Sequence, residues 1–93
     1  MVVGICRVRL YIPASNSLKA KRNALRPIIE RIKRFNISIA EIDSNDRWQV
    51  ATLGLANVST DAALTHKIFN HAISVIETNN SDVQLVDYDI EML

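Results

Sequence analysis

An α+β fold ordered β-α-β-β-α-β, a four-stranded antiparallel sheet with two helices on one face, is predicted by three observations. Four segments are β-branched or alternate apolar with polar residues, as half-buried strands do. Two others repeat apolar residues at helical spacing. With 93 residues the chain can build one core but not two, so residues 1–93 are read as a single domain.

The elements follow in chain order. In residues 2–12, "VVGICRVRLYI", Val2, Cys6, Val8, Leu10 and Ile12 share one face while Arg7, Arg9 and Tyr11 share the other. Pro13, Ser15 and Asn16 interrupt this strand, and Ser17 is placed to cap a helix reaching Phe35, with Leu18, Leu25, Ile28, Ile29, Ile32 and Phe35 on one broad face. Pro27 removes the bond to the Asn23 carbonyl, so the helix is expected to bend there or divide near Leu25. "FNISIAEID" is a second strand running into the turn Asp43, Ser44, Asn45 and Asp46, with "WQVATLGLANV" as its hairpin partner. Ser59 or Thr60 is expected to cap a second helix to about Asn79, turning Leu64, Ile68, Ala72, Val75 and Ile76 to the core; Asn79, Asn80 and Ser81 end it. The last strand, "VQLVDYDIEM", sets Val86, Tyr88 and Ile90 against Asp87, Asp89 and Glu91 on its other face.

This order is the ferredoxin-like, split-βαβ plan, in which the last strand lies beside the first. Arg7 and Arg9 would then stand next to Asp87 and Asp89, and such cross-strand pairs contribute about 0.2–1 kcal/mol each.

Composition narrows the function classes. The opening residues "MVVGICRVRL" are apolar but broken by Arg7 and Arg9 and carry no small-residue cleavage site, so neither a signal peptide nor a membrane span is expected, and a cytoplasmic location is. One cysteine, Cys6, allows no internal disulfide, and no CxxC, HExxH or Cys/His cluster is present; no metal and no cofactor are expected. His66 and His71 project about 140° apart on the second helix, too far round to share a metal. Catalytic residues are therefore not assigned.

The net charge of +1 conceals a strong separation. Residues 1–34 hold nine Lys/Arg against Glu30, a net +8, whereas residues 35–93 hold Arg47 and Lys67 against nine acids, a net −7. On the first helix Lys19, Arg22, Arg26 and Lys33 fall within about 60° of one another, a stripe roughly 20 Å long flanked by Asn23 and Arg34. Lys21 falls on the apolar side, from which it is expected to reach water by snorkelling past the helix start. A solvated face would explain the stripe, but such faces usually carry interspersed acids, and this one has Glu30 alone. Its first turn is also cationic, the wrong sign for a helix N-terminus, where acids are favoured by about 0.3–1 kcal/mol. Phosphate would supply the missing anion. The loop Ser15, Asn16 and Ser17, with Lys19 and Arg22, is a candidate anion site, although capping alone also explains its serines.

Two other families share the topology. Acylphosphatases need a glycine-rich phosphate loop with its arginine, which "YIPASNSLKAKR" does not supply. RNA-recognition motifs stack bases on third-strand aromatics, but "VATLGLANV" has none and Tyr11 alone offers an outward ring. Trp48 is expected to anchor the rim of the core.

"SLKAKR" at 17–22, "FNISIAE" at 35–41 and "WQVATLG" at 48–54, followed by "DYDIE", resemble the YlxP-like family of small bacterial proteins across nearly the whole chain. The resemblance implies a ferredoxin-like fold and a bacterial cytoplasmic protein. Members are often encoded among translation factors, which suggests a ribosome-related role. Position 20, often acidic in the family, is Ala20 here, and position 50, often basic, is Val50. The resulting expectation is a non-catalytic accessory protein that binds structured RNA, ribosomal RNA or a ribosomal particle through Lys19, Lys21, Arg22, Arg26, Lys33 and Arg34. The alternatives are a protein-interaction module, either a homodimer through opposite charges or a sheet face bearing Thr52, Gly54 and Ala56 or a complex with a protein partner, and a small-anion sensor.

Overall fold

A computed structural model describes residues 1–43, 46–79 and 82–93. The elements are β1 (Val2–Tyr11), α1 (Leu18–Ile32), a 3₁₀ turn (Lys33–Phe35), β2 (Ser38–Asp43), β3 (Val50–Ser59), α2 (Ala62–Asn79) and β4 (Gln84–Met92). The sheet runs β2-β3-β1-β4 with every neighbouring pair antiparallel, the ferredoxin-like arrangement expected. Alternate residues of the central strands, Cys6, Val8 and Leu10 with Ala51, Leu53 and Leu55, are buried against Leu25, Ile28 and Ile32 of α1 and Phe69, Ile73 and Ile76 of α2. Both helices thus cover one face, and the other face stays open.

The β1–β4 register sets Arg7 opposite Asp89 and Arg9 opposite Asp87. Arg9 Nε lies 2.6 Å from Asp87 Oδ1, and Arg7 and Arg9 lie 3.3 and 3.4 Å from the two oxygens of Asp89. A register shift between Arg9 and Leu10 then pairs Leu10 with Leu85. Val86 falls within that shift and is exposed, as is Tyr88. Both were expected in the core; β4 is an edge strand, and its cover by the helices is incomplete.

The helix ends also differ from expectation. Ser17 Oγ accepts from the Ala20 N–H at 3.0 Å, as a cap should. The helix runs undivided through Pro27, however, and becomes 3₁₀ only at Lys33. Pro27 and Asn23 are both exposed, so water can replace the missing donor at the Asn23 carbonyl. Asn36, in the left-handed region at φ 62°, ends the turn, and its side chain donates to the Val58 carbonyl at 3.1 Å. At α2 the cap is Asp61, whose Oδ1 accepts from the Leu64 N–H at 2.8 Å, in place of Ser59 or Thr60. The carboxylate suits the positive end of the helix dipole. Ser59 instead pairs with the Thr65 hydroxyl at 2.7 Å. Leu64, expected inside, is exposed. The turn residues Ser44 and Asn45 and the helix-ending Asn80 and Ser81 lie outside the described residues. No described helix is long and apolar enough to cross a membrane.

Candidate nucleic-acid interface

α1 buries Leu25, Ile28 and Ile32 and turns to solvent a side about a third of a turn round from them. On that side Lys19, Arg22 and Arg26 are exposed, and the 3₁₀ turn adds exposed Lys33 and Arg34. Among the described residues, Lys33 alone of these five forms an ion pair, with Glu30 at 3.4 Å, where both side chains are more than half exposed. Such a pair contributes little. The first turn of α1 contains no acid. The positive end of the helix dipole and the Lys19 and Arg22 charges beside it therefore reinforce one another.

Lys21 departs from the group in which the sequence placed it. It does not snorkel to water but is 1% exposed. Its Nζ donates to Glu41 Oε2 at 2.7 Å and to the Val50 carbonyl at 3.2 Å, tying the first turn of α1 to β2 and β3. Buried charges persist only when paired and hydrogen-bonded, and this one is. A group so enclosed is not available to a polyanion.

Both serines of the loop Ser15–Ser17 make hydrogen bonds. Ser17 Oγ is the helix cap, and the buried Ser15 donates from Oγ to the Ser17 carbonyl at 3.1 Å. Asn16 is exposed. What the loop can still present to an anion is the Asn16 amide, the Ser17 O–H and backbone N–H groups at the helix start, beside Lys19 and Arg22.

At the same end of the molecule, Tyr11 and Trp48 line an open cavity of about 630 Å³ together with Asp46, Arg47, Gln49 and Val50. Trp48 is 54% exposed, so it does not anchor the rim of the core as expected. Gln49 holds its neighbour out: its carbonyl accepts from the Ile12 N–H at 2.8 Å and its Nε2 donates to the Pro13 carbonyl at 3.0 Å.

The other reactive side chains offer less. His66 and His71 are exposed, and His71 stacks on Phe35 with ring centroids 4.5 Å apart. Cys6 is buried, and loss of hydration together with the nearby Asp89 charge pushes its thiol up to about 11, far from the thiolate a nucleophile needs.

Residues 3–90 match the model of the family DUF503, described as a protein of unknown function. The Uncharacterized protein YlxP of Bacillus subtilis (strain 168) is 33% identical over 78 residues, which cover 83% of this chain and 85% of that one. The chain belongs to this YlxP-like family. Two solved structures are similar in fold. A de novo designed protein, Foldit4, superposes with a TM-score of 0.58 at 10% identity, over 98% of this chain and 96% of its own. A dimeric ferredoxin-like protein from an uncultured marine organism gives 0.57 at 6% identity, over 100% and 96%.

For this family member, sequence reasoning missed two features. The Lys21–Glu41 pair joins residues twenty apart, and the one signal was a lysine on an apolar helix face. The exposure of Trp48 carried a weaker signal: it stands between Asp46-Arg47 and the strand, outside the alternation that assigns residues to the core.

Proposed function

We propose that the protein is a non-catalytic accessory protein that binds the phosphates of structured RNA through Lys19, Arg22, Arg26, Lys33 and Arg34. Ribosomal RNA or a ribosomal particle is its expected partner. One observation carries the reading: a helix with no acid in its first turn, whose exposed Lys19 and Arg22 at the start and Arg26 two turns on have no ion-pair partner among the described residues. Such an arrangement stores repulsion that phosphate relieves. Neutralising about four phosphates gives log K against log salt a slope of roughly −3 to −4. Binding of a labelled structured RNA measured across a salt series tests it, and a flat slope or no binding at low salt removes the RNA reading.

A homodimer through the open sheet face is the second reading. Ile5, Ala40, Ile42, Gly54 and Ala56 line a shallow cavity of about 270 Å³ there, with Arg7 and Ser38 also in its lining. The dimeric ferredoxin-like protein from an uncultured marine organism has a similar fold. Sedimentation over a range of concentrations, with and without nuclease treatment, separates the two: a dimer that Ala40→Arg dissociates, with no bound RNA, favours the second.

A further inference from the structure

The cavity beside Trp48 belongs to neither reading so far. Three bonds fasten its wall to the end of the molecule where α1 begins. The Ile12 N–H and the Pro13 carbonyl hold Gln49, and the buried Lys21 ammonium holds the Val50 carbonyl. Tyr11 pairs with Val50 across β1 and β3 and so shares the open sheet face with Arg7 and Arg9. The result is two exposed rings, 39% and 54% accessible, on a backbone pinned from both sides. Among the described residues, the Arg47 guanidinium, the Asp46 carboxylate, the Gln49 amide and Val50 also line it.

That lining suits a flat, aromatic, hydrogen-bonding ligand. Exposed tryptophan and tyrosine rings offer faces for stacking, and Arg47 can stack or take a phosphate. The Asp46 carboxylate accepts hydrogen bonds from amino groups and opposes a compact anion, so free phosphate is a poor occupant. A cavity of about 630 Å³ is within the ordinary range for small-molecule sites. The Pro13 to Ser17 loop connects this wall directly to the cationic first turn of α1.

We infer that the cavity between Tyr11 and Trp48 holds an unpaired nucleobase from the RNA whose phosphates lie along α1, an inference that rests on the RNA reading above. The protein would then select RNA with a single-stranded segment beside a structured one. The α1 stripe supplies affinity, and the rings distinguish unpaired from paired bases.

Trp48 is the sole tryptophan of the chain, so its emission reports the cavity directly. The experiment titrates the protein with a short single-stranded RNA and with a blunt duplex of equal length at low salt. Single strand is expected to quench Trp48 emission and duplex to leave it unchanged. Trp48→Leu should weaken single-strand binding about tenfold, read from a labelled RNA, and leave duplex binding as it was. Tyr11→Leu, which keeps the reporter, should reduce the quench. Unchanged emission at saturating single strand, or an equal loss for both RNAs in Trp48→Leu, overturns the base site. The triple change K19Q/R22Q/R26Q separates the two claims. If it abolishes duplex binding by a protein whose emission never responds, the stripe stands and the base site falls. If it leaves both RNAs bound and the quench intact, the stripe falls and the shared-strand inference with it. Emission that shifts with protein concentration in the absence of RNA assigns the cavity to a second copy and overturns the inference.

Discussion

β1 and α1 both present cations to solvent, yet their surroundings are opposite. Arg7 and Arg9 on β1 have Asp87 and Asp89 within 3.4 Å, because antiparallel pairing in this register places acid against base on the same face. Lys19, Arg22 and Arg26 on α1 have no such neighbours among the described residues. The strand's charges are consumed within the fold, while the helix's remain available. Lys21 is a third case: it sits on the same helix but is turned inward to Glu41. Counting cations along a chain therefore says less than asking what each one faces.

The largest effect expected from breaking this division is at the buried pair. Glu41→Ala removes the carboxylate that meets the Lys21 ammonium in a site where that ammonium is 1% exposed. Losing one partner of a buried pair costs about 3–5 kcal/mol. For a domain of this size that lowers the melting temperature by more than about 10 °C. RNA affinity of the folded protein should not fall, since Lys21 is enclosed and Glu41, which shares a surface cavity with Arg22 and Arg26, only opposes a polyanion there. Thermal unfolding with a binding assay below the transition checks both halves, and a drop of one or two degrees would mean that the pair is not a fastening between α1 and β2.

A smaller effect lies beneath the β1–β4 ladder. Burial raises the Cys6 thiol from 9.0 to about 11, with Asp89 adding to it. The sign follows from which state ionises first. Between pH 9 and 11 the unfolded chain has lost this proton and the folded one has kept it, so stability is full below pH 9 and falls as pH rises. The loss reaches about 2–3 kcal/mol by pH 11. Cys6→Ala should remove that contribution, so its stability deficit against the parent should shrink between pH 8 and 10.5. A deficit constant over that range would contradict the shift.

These features differ in how far the sequence revealed them. Periods of 2 and 3.6 locate strands and helices directly, and the β1–β4 charge ladder follows once topology places the two strands side by side. The Lys21 pair was hidden because angular position on a helix reports the face a residue occupies but not the side chain across from it. Glu41 comes from the far strand of another hairpin. Trp48 runs against the rule that large apolar residues are usually inside; it is exposed beside Gln49, which bonds to Ile12 and Pro13. At Pro27 the local rule allowed either a bend or a division, and α1 passes it undivided.

The ladder gives a gentler contrast. Replacing Arg7 and Arg9 together by alanine should cost roughly 1 kcal/mol, since all four partners are close to half exposed and solvent weakens each pair. RNA affinity should stay nearly constant. A large loss of affinity would move the interface from α1 to the open sheet face.

The smallest expected change in stability is the most informative about the comparison. Replacing Lys19, Arg22 and Arg26 by glutamine removes three like charges from one side of α1, two of them close to a helix start that already carries positive partial charge. The free protein should be stabilised by some tenths of a kcal/mol, up to about 1. The gain should be larger at low salt, because screening weakens the same repulsion in the parent. Polyanion binding should disappear in the same variant. If these side chains instead held acids of this or a second molecule, as Arg7 and Arg9 do, their loss would lower the melting temperature and leave RNA affinity unchanged. Melting temperature and RNA affinity, measured on one triple variant at two salt concentrations, therefore tell whether α1 is available for a partner or occupied like β1.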